Sequence, residues 1–247
     1  MTVEYIKDQI TVIMTVWKRD NYRLQLDHIK NQSHKPHQIW IYQNESHVDI
    51  DISDEEKEEY NISIIHSRDI NFKFHGRFTL PLLCDTEYCT IFDDDTIPGS
   101  RWLSHALSTS QKYNCIVGAN GRTLDEDLNY KQDTGDGHPV NEDTQVDFVG
   151  HCWFFKTDWC RNMWRDRPFT WDNGEDIHFA ASCYINEGIE CLVPHTPMDD
   201  HDSWPDTVSE LGVDELATWR TGSHETLRRG IMKYWFDKGW RPICLRS

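Results

Sequence analysis

The run Tyr-Cys-Thr-Ile-Phe-Asp-Asp-Asp-Thr-Ile-Pro-Gly at residues 88–99 constrains this chain more than any other stretch. Its first half is apolar and β-prone, and it empties into three consecutive carboxylates, Asp93, Asp94 and Asp95, before Pro98 and Gly99 turn the chain. Adjacent like charges at the end of a buried strand repel one another, so each must be solvated, protonated or paired. A divalent cation is the simplest partner. Carboxylate oxygens suit Mg²⁺ or Mn²⁺, which also bind substrate phosphates. The plainer alternative is a solvated acidic turn.

The rest of the chain alternates around that strand. Apolar runs at 10–16, 38–43, 61–65 and 88–92 read as strands. Helical spacing appears at 21–32, with Tyr22, Leu26 and Ile29 on one face, and a helix is expected over 77–84 despite Pro81. Residues 49–60 read as an acidic loop or short helix. Further on, the pattern predicts a helix over 100–112, a strand over 115–118, a long polar loop over 125–143 and one strand over 146–155. A helix beginning at Glu175 and Asp176, a short strand over 190–193 and a final helix over 224–238 complete it. This alternation predicts an α/β fold with a mixed, mostly parallel sheet flanked by helices. Ligands in such sheets gather at the carboxyl ends of strands. The first candidate positions are therefore Trp17–Arg19, Asn44 and Asp93–Asp95.

The chain has 247 residues, enough for one α/β domain, with a nucleotide-binding half over 9–99 and an acceptor and catalytic half over 100–247. Its net charge of −17 argues against a nucleic-acid partner, because such binding needs a basic surface. An anionic substrate would have to be held locally, by a metal or a few arginines. The eight cysteines form no CxxC pair, and Cys84, Cys89, Cys183 and Cys191 sit in apolar runs as reduced core residues would. No run reaches the length of a membrane span and no leader is read, so the cytoplasm is the expected compartment.

Several motifs stand in a telling order. Thr15, Trp17 and Arg19 follow the first strand, and Ile-Tyr-Gln-Asn ends the second at Asn44. Gly76-Arg77-Phe78 precedes the Asp-Asp-Asp strand, and Val-Gly-Ala-Asn-Gly-Arg occupies 117–122. Phe-Val-Gly-His-Cys-Trp-Phe-Phe occupies 148–155, Asn-Gly-Glu-Asp-Ile occupies 173–177, and Val-Pro-His ends at His195. Over residues 9–195 the set resembles the exostosin-like (family 64) glycosyltransferase domain. It is also similar to viral and bacterial transferases of the broad family 2 type. Gly76 stands where the exostosin-like pattern has Asn.

That resemblance implies a GT-A fold, the Rossmann-like fold of nucleotide-diphospho-sugar transferases. It implies a metal-dependent enzyme moving a sugar from a nucleoside-diphosphate donor, UDP-linked by preference, to a glycan or other hydroxyl acceptor, with retention weakly favoured. Asp95 would ligate Mn²⁺ or Mg²⁺, with His195 as second ligand and His201 as its rival. Asp93 and Asp94 would face the donor, and Thr15, Trp17, Arg19, Asn44 and Arg77 would line the nucleotide. Arg228 or Arg229 could fold over the diphosphate. Asp176 is the expected reacting acid and Glu175 its neighbour at the sugar hydroxyls. By alternation along the strand, Trp153 would form a sugar platform with His151. Two other functions compete: a nucleotidyltransferase or phosphohydrolase using the same carboxylates, and a catalytically silent carbohydrate-binding scaffold.

Overall fold

The computed structural model describes residues 4–135, 137–220 and 222–246. Strand β1 (Ile6–Val16) lies at the centre of one half-sheet. It is flanked by β2 (Gln38–Asn44) and β3 (Ile62–Ser67) on one side and β4 (Thr86–Phe92) on the other, all parallel. The second half adds β5 (Ile116–Leu124), β6 (Tyr130–Gly135), β7 (Thr144–Val146), β8 (Phe148–Lys156) and β9 (Cys191–Val193). The order is β3-β2-β1-β4-β8-β5-β9-β7, with β6 paired to β5. Antiparallel β8 is wedged between β4 and β5, so β4, β5 and β9 run in one direction and end at one edge. The described residues thus form an α/β structure with a mixed, mostly parallel nine-stranded sheet.

Both faces of the sheet are covered, which is why its strands are apolar on both sides. Ile10, Val12, Met14 and Val16 of β1 pack with Leu26 and Ile29 of helix α1 (Tyr22–Lys30). Tyr88 and Phe92 of β4 join the same core, with Leu103 and Ala106 of α3 (Trp102–Tyr113). The alternate residues Ile13, Cys89 and Ile91 face the other way. They meet Ile177 and Ala181 of α4 (Glu175–Glu187) and Ile231 and Trp235 of α5 (His224–Asp237). The short acidic segment is a helix, α2 (Asp54–Tyr60). Ser53 caps it by accepting the Glu56 N–H at 3.2 Å, and Asn61 closes it in the left-handed region.

The helix expected over 77–84 is a 3-10 helix over 76–83, as Pro81 removes a donor inside so short a segment. Two expectations are corrected. The polar loop over 125–143 contains β6, which turns back and pairs antiparallel with β5 at the solvent edge; its residues carry no apolar alternation, so no strand signal exists there. The single strand over 146–155 is two strands broken at Asp147. That buried carboxylate accepts the N–H of Leu124 and of Ile243, each at 2.7 Å, and swings the chain from β7 into β8. No described helix is long and apolar enough to cross a membrane. All eight cysteines are free, and seven are buried.

Candidate active site

The carboxyl edge of β4 collects charge from both sides of the sheet. Asp93 continues the alternation of Cys89 and Ile91 and points toward the α4 face, where Arg77 donates to it from Nη1. The other arm of the same guanidinium donates to Glu175 Oε1 at 2.7 Å. Arg77 is only 5 % exposed, and its guanidinium lies 4.6 Å from the Trp153 ring centroid. Burial works against its charge, but Asp93 and Glu175 more than offset that and hold its pKa above the ordinary value. Burial pushes the Glu175 carboxyl up to about 7, with Asp176 and Asp93 adding to the shift against the pull of Arg77. A carboxyl in that range exchanges a proton near neutral pH, as acid–base chemistry requires.

On the α1 side Arg19 performs a parallel task. Its Nη1 lies 2.7 Å from Asp94 Oδ1 and 3.0 Å from Asp95 Oδ2. Its Nε and Nη2 donate to the two oxygens of Asp214, at 2.6 and 2.8 Å. Helix α1 holds the turn beneath: Gln25 donates to the carbonyls of Asp93 and Thr96, at 2.7 and 2.6 Å. Asp94 is pushed up to about 6 by burial, which Arg19 only partly offsets. Asp95 is raised as well, by burial and by Asp93, while His151 and Arg19 pull it down. Asp95 Oδ1 is buried and has no hydrogen-bond partner. An orphaned carboxylate oxygen beside two like charges is an atom that a bound cation would satisfy. Among the described residues no three His, Cys, Asp or Glu side chains converge to hold a metal unaided. Asp95, with the unpartnered Oδ1, and its neighbour Asp93 offer the one or two carboxylates that an ion of the Mg²⁺ or Mn²⁺ type takes when phosphate and water complete its shell.

Helix α4 delivers the second pair of acids. Gly174 sits at its N-cap with φ +75°, and a Cβ there would lie 2.2 Å from Ile231 Cδ1, so only glycine allows both the turn and the approach of α5. Asp176 is gripped from α5 by Arg228, Nη1 to Oδ1 at 3.0 Å and Nη2 to Oδ2 at 2.6 Å. Arg228 also donates to Asn173 Oδ1 at 3.1 Å and, from Nε, to the Tyr130 hydroxyl at 2.5 Å. Burial would raise the Asp176 carboxyl, but Arg228 more than reverses that and holds it below the usual range. Of the two acids, Glu175 faces the β4 carboxylates through Arg77, and Asp176 is engaged with the C-terminal helix.

The expected nucleotide side is a polar network at the ends of β1 and β2. Thr15 Oγ1 donates to the Phe92 carbonyl at 2.8 Å, tying β1 to β4 just before the acids. Trp17 Nε1 donates to Glu45 Oε2 at 2.9 Å, and Asn71 Nδ2 donates to the same oxygen at 2.7 Å. Asn44 donates to Asn71 Oδ1 at 3.0 Å and accepts the Phe72 N–H at 3.1 Å. The loop after β3 is thereby held against the first two strand ends.

The structure does not bring His195 to this cluster. It follows β9, which lies three strand positions from β4, and its hydrogen-bond partners belong to other elements. Its N–H donates to Asp143 at 3.0 Å and its carbonyl pairs with His105 at 2.9 Å. His201 is exposed and stacks on Trp204. The histidine that reaches the field of Asp95 is His151. Its φ of +61° marks a bulge where the β5–β8 register shifts, and its carbonyl accepts the Asp93 N–H at 2.9 Å. The bulge breaks the alternation that would pair His151 with Trp153. Trp153 is 2 % exposed beneath Arg77, so it serves as core and cation–π partner rather than as an open sugar platform. His151, Asn120, Trp204 and Asp206 line a small polar pocket beside Asp95.

Sequence reasoning passed over Tyr130, Glu45, Asn71 and Asp214. It treated Arg228 as one of several basic residues on a helix. A signal for Arg228 existed: it falls three, four and seven residues before Ile231, Met232 and Trp235, on the buried face of α5. A buried arginine at that spacing requires a carboxylate partner. Asp214 carries no such signal.

No protein-family model matches the chain. No curated protein matches it significantly either.

Proposed function

We propose that the protein is a metal-dependent glycosyltransferase of the GT-A fold, taking a nucleoside-diphosphate sugar, UDP-linked by preference, and a glycan-type or other hydroxyl acceptor. The observation that carries this reading is the convergence, at the carboxyl edge of β4, of three carboxylates, two arginines and the Arg77-linked Glu175, with Asp95 Oδ1 left unpartnered. The strand direction, with β4, β5 and β9 ending at one edge beside the parallel β1–β3, suits a donor laid across those ends.

Asp95 would hold Mn²⁺ or Mg²⁺, with Asp93 beside it. Bound there, the ion would neutralise the charge that develops on a departing nucleoside diphosphate. The chain's own residues supply the rest. Thr15, Trp17 and Asn44 frame the nucleotide side. Arg19 offers a planar fork of donors to phosphate oxygens. Asp94 orients Arg19. Arg77 fixes Asp93 and Glu175 relative to one another, so the donor's sugar hydroxyls meet a rigid pair of acceptors. Glu175, pushed up to about 7, is the group suited to hold or pass the acceptor's proton. Asp176 positions Arg228 over the same edge. Buried free thiols accord with a reducing compartment, and we place the protein in the cytoplasm.

Calorimetric titration of UDP with Mn²⁺, repeated in EDTA, tests the reading. Binding should appear only with metal and should vanish in Asp95→Ala while the variant keeps its fold by circular dichroism. Normal UDP affinity in that variant removes the proposal. Release of inorganic phosphate or pyrophosphate from a nucleotide, without sugar transfer, would point instead to hydrolytic or nucleotidyl-transfer chemistry at the same carboxylates.

A further inference from the structure

The segment 206–220 crosses the mouth of the acidic edge and is fastened at its root and at its middle. At its root, Thr207 donates to the Ile97 carbonyl through N–H and Oγ1, at 2.8 and 3.0 Å, and Asp206 Oδ1 accepts the Ile97 N–H at 3.0 Å. At its middle, Asp214 makes the two-pronged pair with Arg19. Between these points the chain passes directly over the site: a Cβ on Gly212 would stand 3.1 Å from Asp95 Oδ2. Little apolar packing holds it elsewhere, since Val213 and Trp219 are 59 % and 57 % exposed and Ala217 is its buried apolar residue.

The fork of Arg19 would grip a phosphate in the way it now grips the Asp214 carboxylate. Arg19 keeps Nη1 on Asp94 and Asp95, so the arginine stays in place if Asp214 leaves. The Asp214 side chain is 40 % exposed and regains water on leaving, while Arg19, 12 % exposed, needs another anion in its place. We propose that 206–220 is a strap latched by Asp214, whose carboxylate occupies the anion seat on Arg19 until the diphosphate of the donor displaces it. The choice of ligand rests on the function proposed above; the latch itself rests on the strap's own contacts. Displacement exchanges one anion for another on the same guanidinium, and the strap then uncovers Asp95.

Asp214→Asn removes the charge and keeps the shape. Two readouts separate the latch from the ligand. The first is the rate of tryptic cleavage after Arg220, followed by mass spectrometry without ligand. The second is calorimetric affinity for UDP with Mn²⁺ and for inorganic pyrophosphate without metal. The variant should be cut faster after Arg220 and should bind both anions more tightly, about tenfold if the latched form dominates about ten to one. Unchanged or weaker anion affinity in the variant overturns the proposal, whatever the cleavage rate. If UDP binds neither protein but pyrophosphate binds the variant more tightly than the parent, the latch stands and the nucleotide-sugar reading falls.

Discussion

Arg77 and Arg19 divide the three aspartates between them, Arg77 taking Asp93 and Arg19 taking Asp94 and Asp95, and they do it in different physical settings. Arg77 is sealed between Trp153, Phe78 and α4, and both of its partners come from regular structure or its immediate edge. Arg19 sits in a turn after β1 and shares itself between two aspartates of the cluster and one from an exposed strap. The difference teaches which charges are fixed and which can move. Buried Arg77 cannot give up buried Glu175 without stranding a charge, whereas Arg19 can trade Asp214, whose side chain is 40 % exposed, for another anion at smaller cost.

Breaking each arginine should expose that contrast. Arg77→Ala leaves Glu175 buried without a cation beside the partly exposed Asp93. A loss of about 3–5 kcal/mol in urea unfolding is expected. A loss below 1 kcal/mol would show that the pair is as replaceable as the exposed one. Smaller in size is the pH effect of Glu175. Its folded-state value of about 7 lies above its ordinary 4.5, so between those limits the folded protein binds more protons than the unfolded chain. Stability should therefore fall as pH rises from 4.5 to 7, and Glu175→Gln should flatten that part of the pH–melting-temperature curve. An unchanged slope would assign the effect to other groups, Asp94 first among them. Arg19→Ala should cost least, about 1–2 kcal/mol, because Asp214, one of its partners, is 40 % exposed and is resolvated when the arginine is lost. If that variant proves as damaged as Arg77→Ala, the two settings are alike after all.

Reading the chain alone recovered the strands of the parallel half and placed Asp93–Asp95, Thr15, Arg19 and Asn44 at their ends. Those inferences rest on local apolar runs and on the rule that strand ends share an edge. The same reading could not anticipate that β8 carries a bulge at His151, because the positive φ there leaves no trace in the order of apolar residues. It also put Asp176 ahead of Glu175 as the reacting acid on resemblance alone, whereas Glu175 is the acid proposed above to carry the proton. The two are adjacent at the start of one helix, and only the arrival of Arg77 from before β4 and of Arg228 from α5 gives them separate partners.

What residue order decided by itself was therefore the list of strands, the acidic turn that ends the fourth, and the polar residues at neighbouring ends, since each follows from patterns a few residues long. Tertiary structure alone decided which acid meets which arginine. Arg77 lies 98 residues from Glu175, and Arg19 lies 195 from Asp214. Contacts of that separation depend on how two helices and a strap pack on the sheet, and charge pairing across such distances has no local signature.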